Sequence, residues 1–244
     1  IGFGEEVINA SEANAKAVRL AAQLSPEEKI GQLFLITFDG KTADETTEIF
    51  DLISNYHIGG VVLKSENGNI SQSEEALQEL NSLIVDLQKI NWNEDAERID
   101  AISDVNLSSN YVPIFVGISQ SGGSFPYDQI INGLTLTPSQ MAIGATWNIS
   151  AAKNIGELIG SELSSIGINL FLGPSLDVLD ISYSEGNENL GVRTFGGDPY
   201  WVGEMGAAYI SGIHSGSQNK IAVISKNFPG RGSSDRLPEE EVAT

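Results

Sequence analysis

Charged and amide side chains follow directly on an apolar run near the end of the chain. The run spans residues 221–224 and predicts a buried strand; Lys226 and Asn227 come just after it, before a Pro-Gly turn. Cations and amides at the C-terminal end of a parallel strand are what an α/β enzyme uses to hold a polar substrate. This segment therefore predicts a binding site for a polar molecule at a strand end.

Several kinds of chemistry are excluded by residue types that are missing or rare. The chain has no cysteine, so thiol nucleophiles, thiolate zinc sites and disulfides are ruled out. Its two histidines, His57 and His214, each follow or close a predicted helix and are assigned no catalytic role. The sequence shows neither a metal-ligand cluster nor a nucleotide-binding loop, so we expect no metal and no other cofactor.

The composition narrows the possible partners. The net charge is -20, from 33 acidic and 13 basic residues, and such a surface repels phosphate backbones, so we expect no nucleic-acid partner. No run reaches the length of about 18 apolar residues that a membrane span requires. The chain begins at Ile1 without a signal peptide, so we expect a processed start. The oligomeric state stays open, and an extracytoplasmic or cell-surface location is slightly favoured over a cytoplasmic one.

The elements that must position these side chains follow an alternating pattern. From Ile30 onward, short apolar runs alternate with amphipathic helical stretches, which is typical of βα units on a parallel sheet. A serine cap at Ser25 followed by Pro26 predicts a helix start before the first strand. The predicted strands are residues 32–38, 58–63, 114–118, 169–172 and 220–224.

Five βα units predict most of a barrel. A (β/α)8 TIM-type barrel needs about 250 residues, so the fold class is α/β and residues 25–244 supply about the first five units, incomplete at the C-terminus. Residues 1–24 form an N-terminal helical extension, and the polar stretch 91–111 predicts a surface loop or insertion. An open five-stranded sheet is the alternative. Because a partial barrel exposes strand edges, we expect further chain in the natural protein.

Residues 226–232 read Lys-Asn-Phe-Pro-Gly-Arg-Gly. This segment resembles the Lys-His-Phe-Pro-Gly-His-Gly signature of glycoside hydrolase family 3, in its β-N-acetylhexosaminidase-like branch. The other similar segments are residues 24–33, 58–63, 173–178 and 193–199. Each motif alone has middling specificity, but five in the expected order, each beside the expected strand, identify the fold. The resemblance covers about nine-tenths of the chain.

The resemblance implies roles for three matching residues. Arg193 and Lys226 would donate hydrogen bonds to sugar hydroxyls next to the cleaved bond, and a guanidinium or an ammonium suits that task. The alternatives are an ion pair of Arg193 with Asp198 and one of Lys226 with Asp177. Asp177 would order the strand-end loops more than touch the sugar. We expect Asp177, Arg193 and Lys226 to converge on one concave site at the C-terminal ends of the strands, with the Arg193 and Lys226 side chains within about 15 Å of each other.

The chain departs from the branch pattern at two candidate substrate contacts. Family members carry Asp-Gln-Glu-Gly-Gly after the third strand, and the first aspartate holds two sugar hydroxyls; here Ser119 takes its place. A serine hydroxyl can accept one hydrogen bond but loses the charge-assisted pair. Asn227 likewise stands where the branch has histidine, as does Arg231. We retain Ser119 and Asn227 as candidate substrate-binding residues.

The proton donor of the branch is also replaced. Its general acid/base histidine lies in an Asp-Ser-His motif, whereas this chain reads Ser-Asp-Arg-Leu at residues 234–237. Arginine cannot shuttle protons at working pH, so Asp235 is the candidate catalytic acid, with a loop-capping role as the alternative. The nucleophilic aspartate of the family is expected beyond Thr244.

The resemblance implies a glycoside hydrolase of family 3 type that acts on O-glycosyl bonds of a β-linked sugar, with N-acetylglucosamine as a candidate. The alternative is a non-catalytic carbohydrate-binding protein on the same scaffold. A purely structural module is a third hypothesis, and three polar residues at separate strand ends (Asp177, Arg193 and Lys226) argue against it. In the first two readings the partner is a carbohydrate.

Overall fold

The structure is a computed structural model that describes residues 2–101, 111–179, 191–227 and 230, with side chains placed from residue 13 and, in the long fourth helix, up to residue 92. The helices are α1 (Gly2–Gln23), α2 (Pro26–Gly31), α3 (Glu48–Ser54), α4 (Ala76–Ala101), α5 (Gln140–Gly144), α6 (Ile149–Ser165) and α7 (Pro199–Gly216). The strands are β1 (Leu35–Ile36), β2 (Gly60–Val62), β3 (Phe115–Ile118), β4 (Leu170–Ser175) and β5 (Ala222–Lys226). In this part of the chain, no helix combines the length and apolar character that crossing a bilayer requires.

The five strands form one parallel sheet in the order β1-β2-β3-β4-β5, which confirms the five predicted strands and their parallel pairing. Each strand overlaps the apolar run that predicted it. Because every crossover moves to the next neighbour in the same direction, the connecting helices all lie on one side of the sheet. This is the arrangement of consecutive units of a β/α barrel, whereas a doubly wound sheet reverses its strand order.

The two faces of the sheet differ in what covers them. On the helix side, Val61, Val116 and Phe171 are at most 1% exposed and belong to the main hydrophobic core. On the other side, Phe115 and Ile224 are about half exposed, at 47% and 51%. Side chains alternate between the two faces along a strand. The face away from the helices is therefore the one that is open to a ligand.

Two local predictions have opposite outcomes. The start of α2 is confirmed: Ser25 Oγ accepts the N–H of Glu28, and the Glu28 carboxylate accepts the N–H of Ser25 in return. The prediction of a loop over residues 91–111 is wrong for its first half, since α4 continues to Ala101. A helix already started on a buried face extends at little cost, and polar residues can continue it. Residues 102–110 lie outside the described part.

Glycines let α6 and α7 pack with their backbones in contact. A Cβ atom on Gly212 of α7 would lie 2.1 Å from the carbonyl oxygen of Lys153, and one on Gly156 of α6 would lie 2.1 Å from that of Tyr209. Gly160 and Gly216 meet the partner helix in the same way. These distances are far below van der Waals contact, so any larger residue must push the helices apart.

We therefore predict opposite effects for two Gly→Ala substitutions in α7. Gly212→Ala should destabilise the fold by about 1–3 kcal/mol, because the added methyl overpacks the α6–α7 contact. Gly203→Ala is the matched control: nothing lies within 4 Å of its Cβ position, and alanine is the better helix former by up to about 1 kcal/mol. Thermal unfolding should show a lower Tm for the first variant and an equal or higher Tm for the second. Equal Tm values would contradict the close packing.

Candidate functional site

A cavity of about 720 Å³ opens at the C-terminal ends of the strands, a volume in the range of small-molecule sites. Its walls come from β2, β3, β4 and β5 and the segments that follow them. The lining residues are Val62, Leu63, Lys64, Ser65, Glu66, Gln72, Ser119, Ser121, Phe125, Pro126, Tyr127, Asp128, Gln129, Ile131, Leu172, Arg193 and Lys226. Three of the residues singled out from the sequence, Ser119, Arg193 and Lys226, therefore line one concave site.

Lys226 is the last residue of β5 and reaches across the cavity to the end of β3. Its Nζ donates a hydrogen bond to Ser119 Oγ at 2.9 Å, and the side chain remains open to water inside the concave wall. Partial loss of water, followed by the positive charges of Arg193 and Lys64, lowers the pKa of the Lys226 ammonium below its usual value. An ammonium has three donors, so two remain for a ligand.

Arg193 also lines the cavity, from the segment before α7. Its guanidinium carbon is 5.6 Å from the centroid of the Tyr127 ring, within the range of a cation–π contact. The segment is held by its neighbours, since Thr194 Oγ1 donates to the carbonyl of Asp177 at 2.7 Å. Asp198, the alternative partner of Arg193, caps α7 by accepting the N–H of Trp201.

Asp177 is buried below the cavity and is not among its lining residues. It is 2% exposed, and its Oδ1 accepts the N–H of Val178 at 3.1 Å. A Cβ atom on Gly230 would lie 2.9 Å from the same oxygen, so Gly230 lies directly against this carboxylate. The position suits a residue that orders the strand-end loops, and Lys226 donates to Ser119 instead.

Asn227 turns the chain out of β5 beside the cavity. Its φ of 56° lies in the left-handed region, which asparagine tolerates better than most residues. Its Nδ2 donates to Ser175 Oγ at 3.3 Å, which ties the end of β5 to the end of β4. Asn227, a candidate substrate-binding residue, thus lies next to the cavity wall. Asp235, the candidate catalytic acid, lies outside the described residues.

The loop after β3 is shaped by a buried carboxylate that the sequence did not single out. Asp128 is 6% exposed, and its two oxygens accept the N–H groups of Gly122 and Ser124 at 2.7 and 2.9 Å. Burial raises the pKa of Asp128 even though these N–H donors act to lower it. Gln120 holds the other end of the loop through the backbone of Ile130. Together they place Ser119 and Tyr127 in the wall.

Sequence reasoning missed two further lining residues. Lys64 lies two residues after the end of β2 and directly follows the apolar run 58–63, so the strand-end rule that selected Lys226 would also have found it. Tyr127 could not be found this way, because it enters the wall only through the folding of the loop around Asp128.

The similarity of this chain to known proteins agrees with this geometry. It is 28% identical over 216 residues to a β-N-acetylglucosaminidase/β-glucosidase of Cellulomonas fimi, covering 88% of this chain and 31% of that protein. It is 27% identical over 237 residues to β-hexosaminidase A of Pseudoalteromonas piscicida, covering 90% and 35%. The solved structure of a glycoside hydrolase family 3 β-N-acetylglucosaminidase from Paenibacillus sp. str. FPU-7 aligns with a TM-score of 0.69 and 29% identity, covering 88% of this chain and 35% of that one.

The chain thus spans about a third of the length of these relatives. Its five parallel strands correspond to the first units of the TIM-type barrel of these relatives, as the sequence predicted. The family model described as the glycosyl hydrolase family 3 N terminal domain matches residues 25–244, and the chain belongs to that family.

Proposed function

We propose that the protein is a glycosidase that binds a β-linked sugar in this cavity and hydrolyses its O-glycosyl bond. The observation that carries the proposal is the convergence of Ser119, Arg193 and Lys226 on one cavity at the strand ends. Family 3 membership supports hydrolysis, and the names of the relatives make N-acetylglucosamine a candidate sugar. Arg193 and Lys226 would donate to sugar hydroxyls, and the exposed ring of Phe125 and the half-buried ring of Tyr127 would cover an apolar sugar face.

The described carboxylates at the cavity already have other partners. Both oxygens of Asp128 accept backbone N–H groups, and Glu66 pairs with Lys64 at 2.9 Å. Double displacement needs a nucleophile and an acid/base group on either side of the bond. We place the nucleophile outside the described residues and propose Asp235 as the acid. Asp177 and Asn227 would act indirectly, by holding the strand ends in position.

A non-catalytic carbohydrate-binding protein is the second candidate, and Ser119 is the observation that favours it. In the β-N-acetylhexosaminidase-like branch, an aspartate at this position would hold sugar hydroxyls through charge-assisted hydrogen bonds. Here the hydroxyl of Ser119 accepts from Lys226. Weaker hydrogen bonds to the hydroxyls of the sugar next to the cleaved bond would lower the rate of hydrolysis, while the sugar could still bind.

Binding and turnover are therefore measured separately on the full-length protein. We expect hydrolysis of p-nitrophenyl N-acetyl-β-glucosaminide or β-glucoside, and binding of the free sugar by calorimetry. Arg193→Gln should weaken binding about tenfold or more, because a charged donor is lost. Arg19→Gln, on the exposed surface of α1, is the matched control and should change nothing. Binding without turnover supports the second candidate, and absence of both refutes the sugar site.

A further inference from the structure

An exposed cluster of aromatic side chains lies at the starts of α6 and α7. Trp147 comes two residues before α6 and is 61% exposed, and Tyr200 in the first turn of α7 is 66% exposed. Both rings meet the ring of Trp201 nearly at right angles, with centroid distances of 5.2 and 5.6 Å. Ile149 beside them is exposed as well. We call Trp147, Tyr200 and Trp201 the aromatic platform.

The fold holds the aromatic platform in a fixed position. Trp201 is partly buried against the main core, and its N–H is accepted by the carboxylate of Asp198 at 3.1 Å. The N–H of Trp147 donates to the carbonyl of Gly144 at 3.0 Å, and its φ of 52° lies in the left-handed region, where a bulky residue is rare. Such strained positions concentrate at functional sites. Rings that are fixed in advance also lose little freedom when a ligand binds.

The aromatic platform lies at the same end of the sheet as the cavity. In a βα unit the helix runs back along the strand that it follows, so the starts of α6 and α7 lie beside the C-terminal ends of β3 and β4. The short helix α5 connects the two places. Met141 in α5 donates its N–H to the carbonyl of Val192, next to Arg193 of the cavity wall. Trp147 follows six residues later, about 10 Å away at the rise of a helix, and a chain of a few sugar units covers that distance.

The surface chemistry of the aromatic platform suits an uncharged sugar chain. A β-linked sugar ring carries C–H groups on its faces and hydroxyls at its edges, so its face can lie on an aromatic ring while the hydroxyls stay in water. Asn148 and Asp198 border the rings with exposed polar groups, and apolar surface rimmed by polar residues marks a binding site. The net charge of -20 disfavours an anionic membrane surface or nucleic acid as the occupant.

We propose that the aromatic platform is a distal subsite for an uncharged β-linked glycan chain whose end occupies the cavity. This inference rests on the proposed function and adds chain length to it: the substrate is the end of an oligosaccharide or polysaccharide. Trp147 and Tyr200 would each lie against a sugar unit that is remote from the cleaved bond. Trp201 would hold the two rings in position.

The dependence of affinity on chain length tests the inference on the full-length protein. N-acetylchitotetraose and cellotetraose, with sulfur in place of the linking oxygens so that they resist hydrolysis, are compared with N-acetylglucosamine and glucose by calorimetry. The tetramer of the preferred sugar should bind roughly tenfold or more tightly than its monomer, because it gains the aromatic contacts. Insoluble chitin or cellulose should retain the protein, and the tetramer should release it. Retention that the tetramer does not compete away would overturn the inference, because the platform would then bind a polymer surface independently of the cavity.

Variants test whether the aromatic platform is the source of this effect. Trp147→Asn should lower the affinity for the tetramer roughly tenfold. For long substrates it should raise KM more than it lowers kcat, because the contact is remote from the reacting bond. Binding of the monomer should change far less. Asparagine tolerates the left-handed backbone, so the fold should be kept, and Trp147→Phe, which retains a ring, should keep most of the affinity.

Trp92→Asn is the matched control. Trp92 is 51% exposed and also meets an aromatic neighbour edge-on, since its ring centroid lies 5.0 Å from that of Tyr111. It lies far along α4, beside the residues that precede β3, and therefore at the end of the sheet away from the cavity. The same substitution there should leave the affinity for the tetramer unchanged.

The remaining outcomes separate the inference from the proposed function. Equal affinity of the wild-type protein for monomer and tetramer overturns the distal subsite, and hydrolysis of a short chromogenic glycoside in the same protein leaves the proposed function intact. Unchanged tetramer affinity in Trp147→Asn, or equal losses in Trp147→Asn and Trp92→Asn, also overturn the distal subsite. A wild-type protein that neither binds nor hydrolyses the short sugars overturns the proposed function itself.

Discussion

Lys226→Met is expected to weaken sugar binding and turnover without weakening the fold. The substitution removes an ammonium that donates to Ser119 and offers two further donors to the ligand. Loss of one hydrogen bond from a charged group predicts a decrease of roughly 10- to 100-fold in kcat/KM. Methionine is close to lysine in length, so the cavity wall stays filled.

The same variant, Lys226→Met, should be at least as stable as the wild-type protein, although it binds sugar less tightly. The folded chain lowers the pKa of Lys226, so at any pH below that lowered pKa the protonated side chain costs stability. Methionine removes this cost, and Tm should stay equal or rise. The advantage of the variant should shrink as pH rises through the lowered pKa toward 10.5, because the wild-type lysine then loses its proton. A lower Tm at neutral pH would show that the ammonium is stabilising and would contradict the charge assignment.

Asp235→Asn is expected to have the largest effect on turnover. If Asp235 protonates the leaving group, hydrolysis of substrates with poor leaving groups should fall by about 10²–10⁴. Substrates with activated leaving groups, which depart without a proton, should be affected far less. The measurement is kcat for both substrate types on the full-length protein.

One control variant and two contrary outcomes complete this experiment. Asp86→Asn removes an exposed carboxylate from α4 and should leave both rates unchanged. Unchanged turnover in Asp235→Asn on poor leaving groups would eliminate Asp235, and the acid would then have to be another carboxylate. A wild-type protein that binds sugar and cleaves no β-glycoside would favour the non-catalytic candidate.

The strands were predictable because each is a short apolar run that must be buried on the helix side of a parallel sheet. Val116 and Phe171 show this, as both lie in predicted strands and in the observed core. The strand ends were also informative. Polar residues just after an apolar run lie at the C-terminal end of a strand, where barrel enzymes have their active sites, and Lys226 was predicted in this way. Lys64 fits the same rule.

Other features depend on contacts that no local pattern records. The sequence of α4 past residue 90 has no apolar periodicity, and such a periodicity is the signal by which a helix is predicted. A helix needs an apolar face only where it packs, so this part of α4 could not be predicted. Tyr127 reaches the cavity because Asp128 folds its loop, through contacts with backbone N–H groups that any sequence would supply. The buried position of Asp177 likewise depends on distant residues: Thr194 donates to its backbone carbonyl, and Gly230 lies against its carboxylate.

The glycine contact between α6 and α7 has a consequence for motion at the site. Two helices whose backbones touch cannot slide or tilt separately, so they behave as one rigid body. Phe195, two residues after Arg193, packs against the ring of Tyr209 in α7 with centroids 5.8 Å apart. The Arg193 wall is thereby attached to the helix pair. Any opening or closing of the cavity on that side has to be a hinge movement of the whole pair, carried by the segments that join it to the sheet.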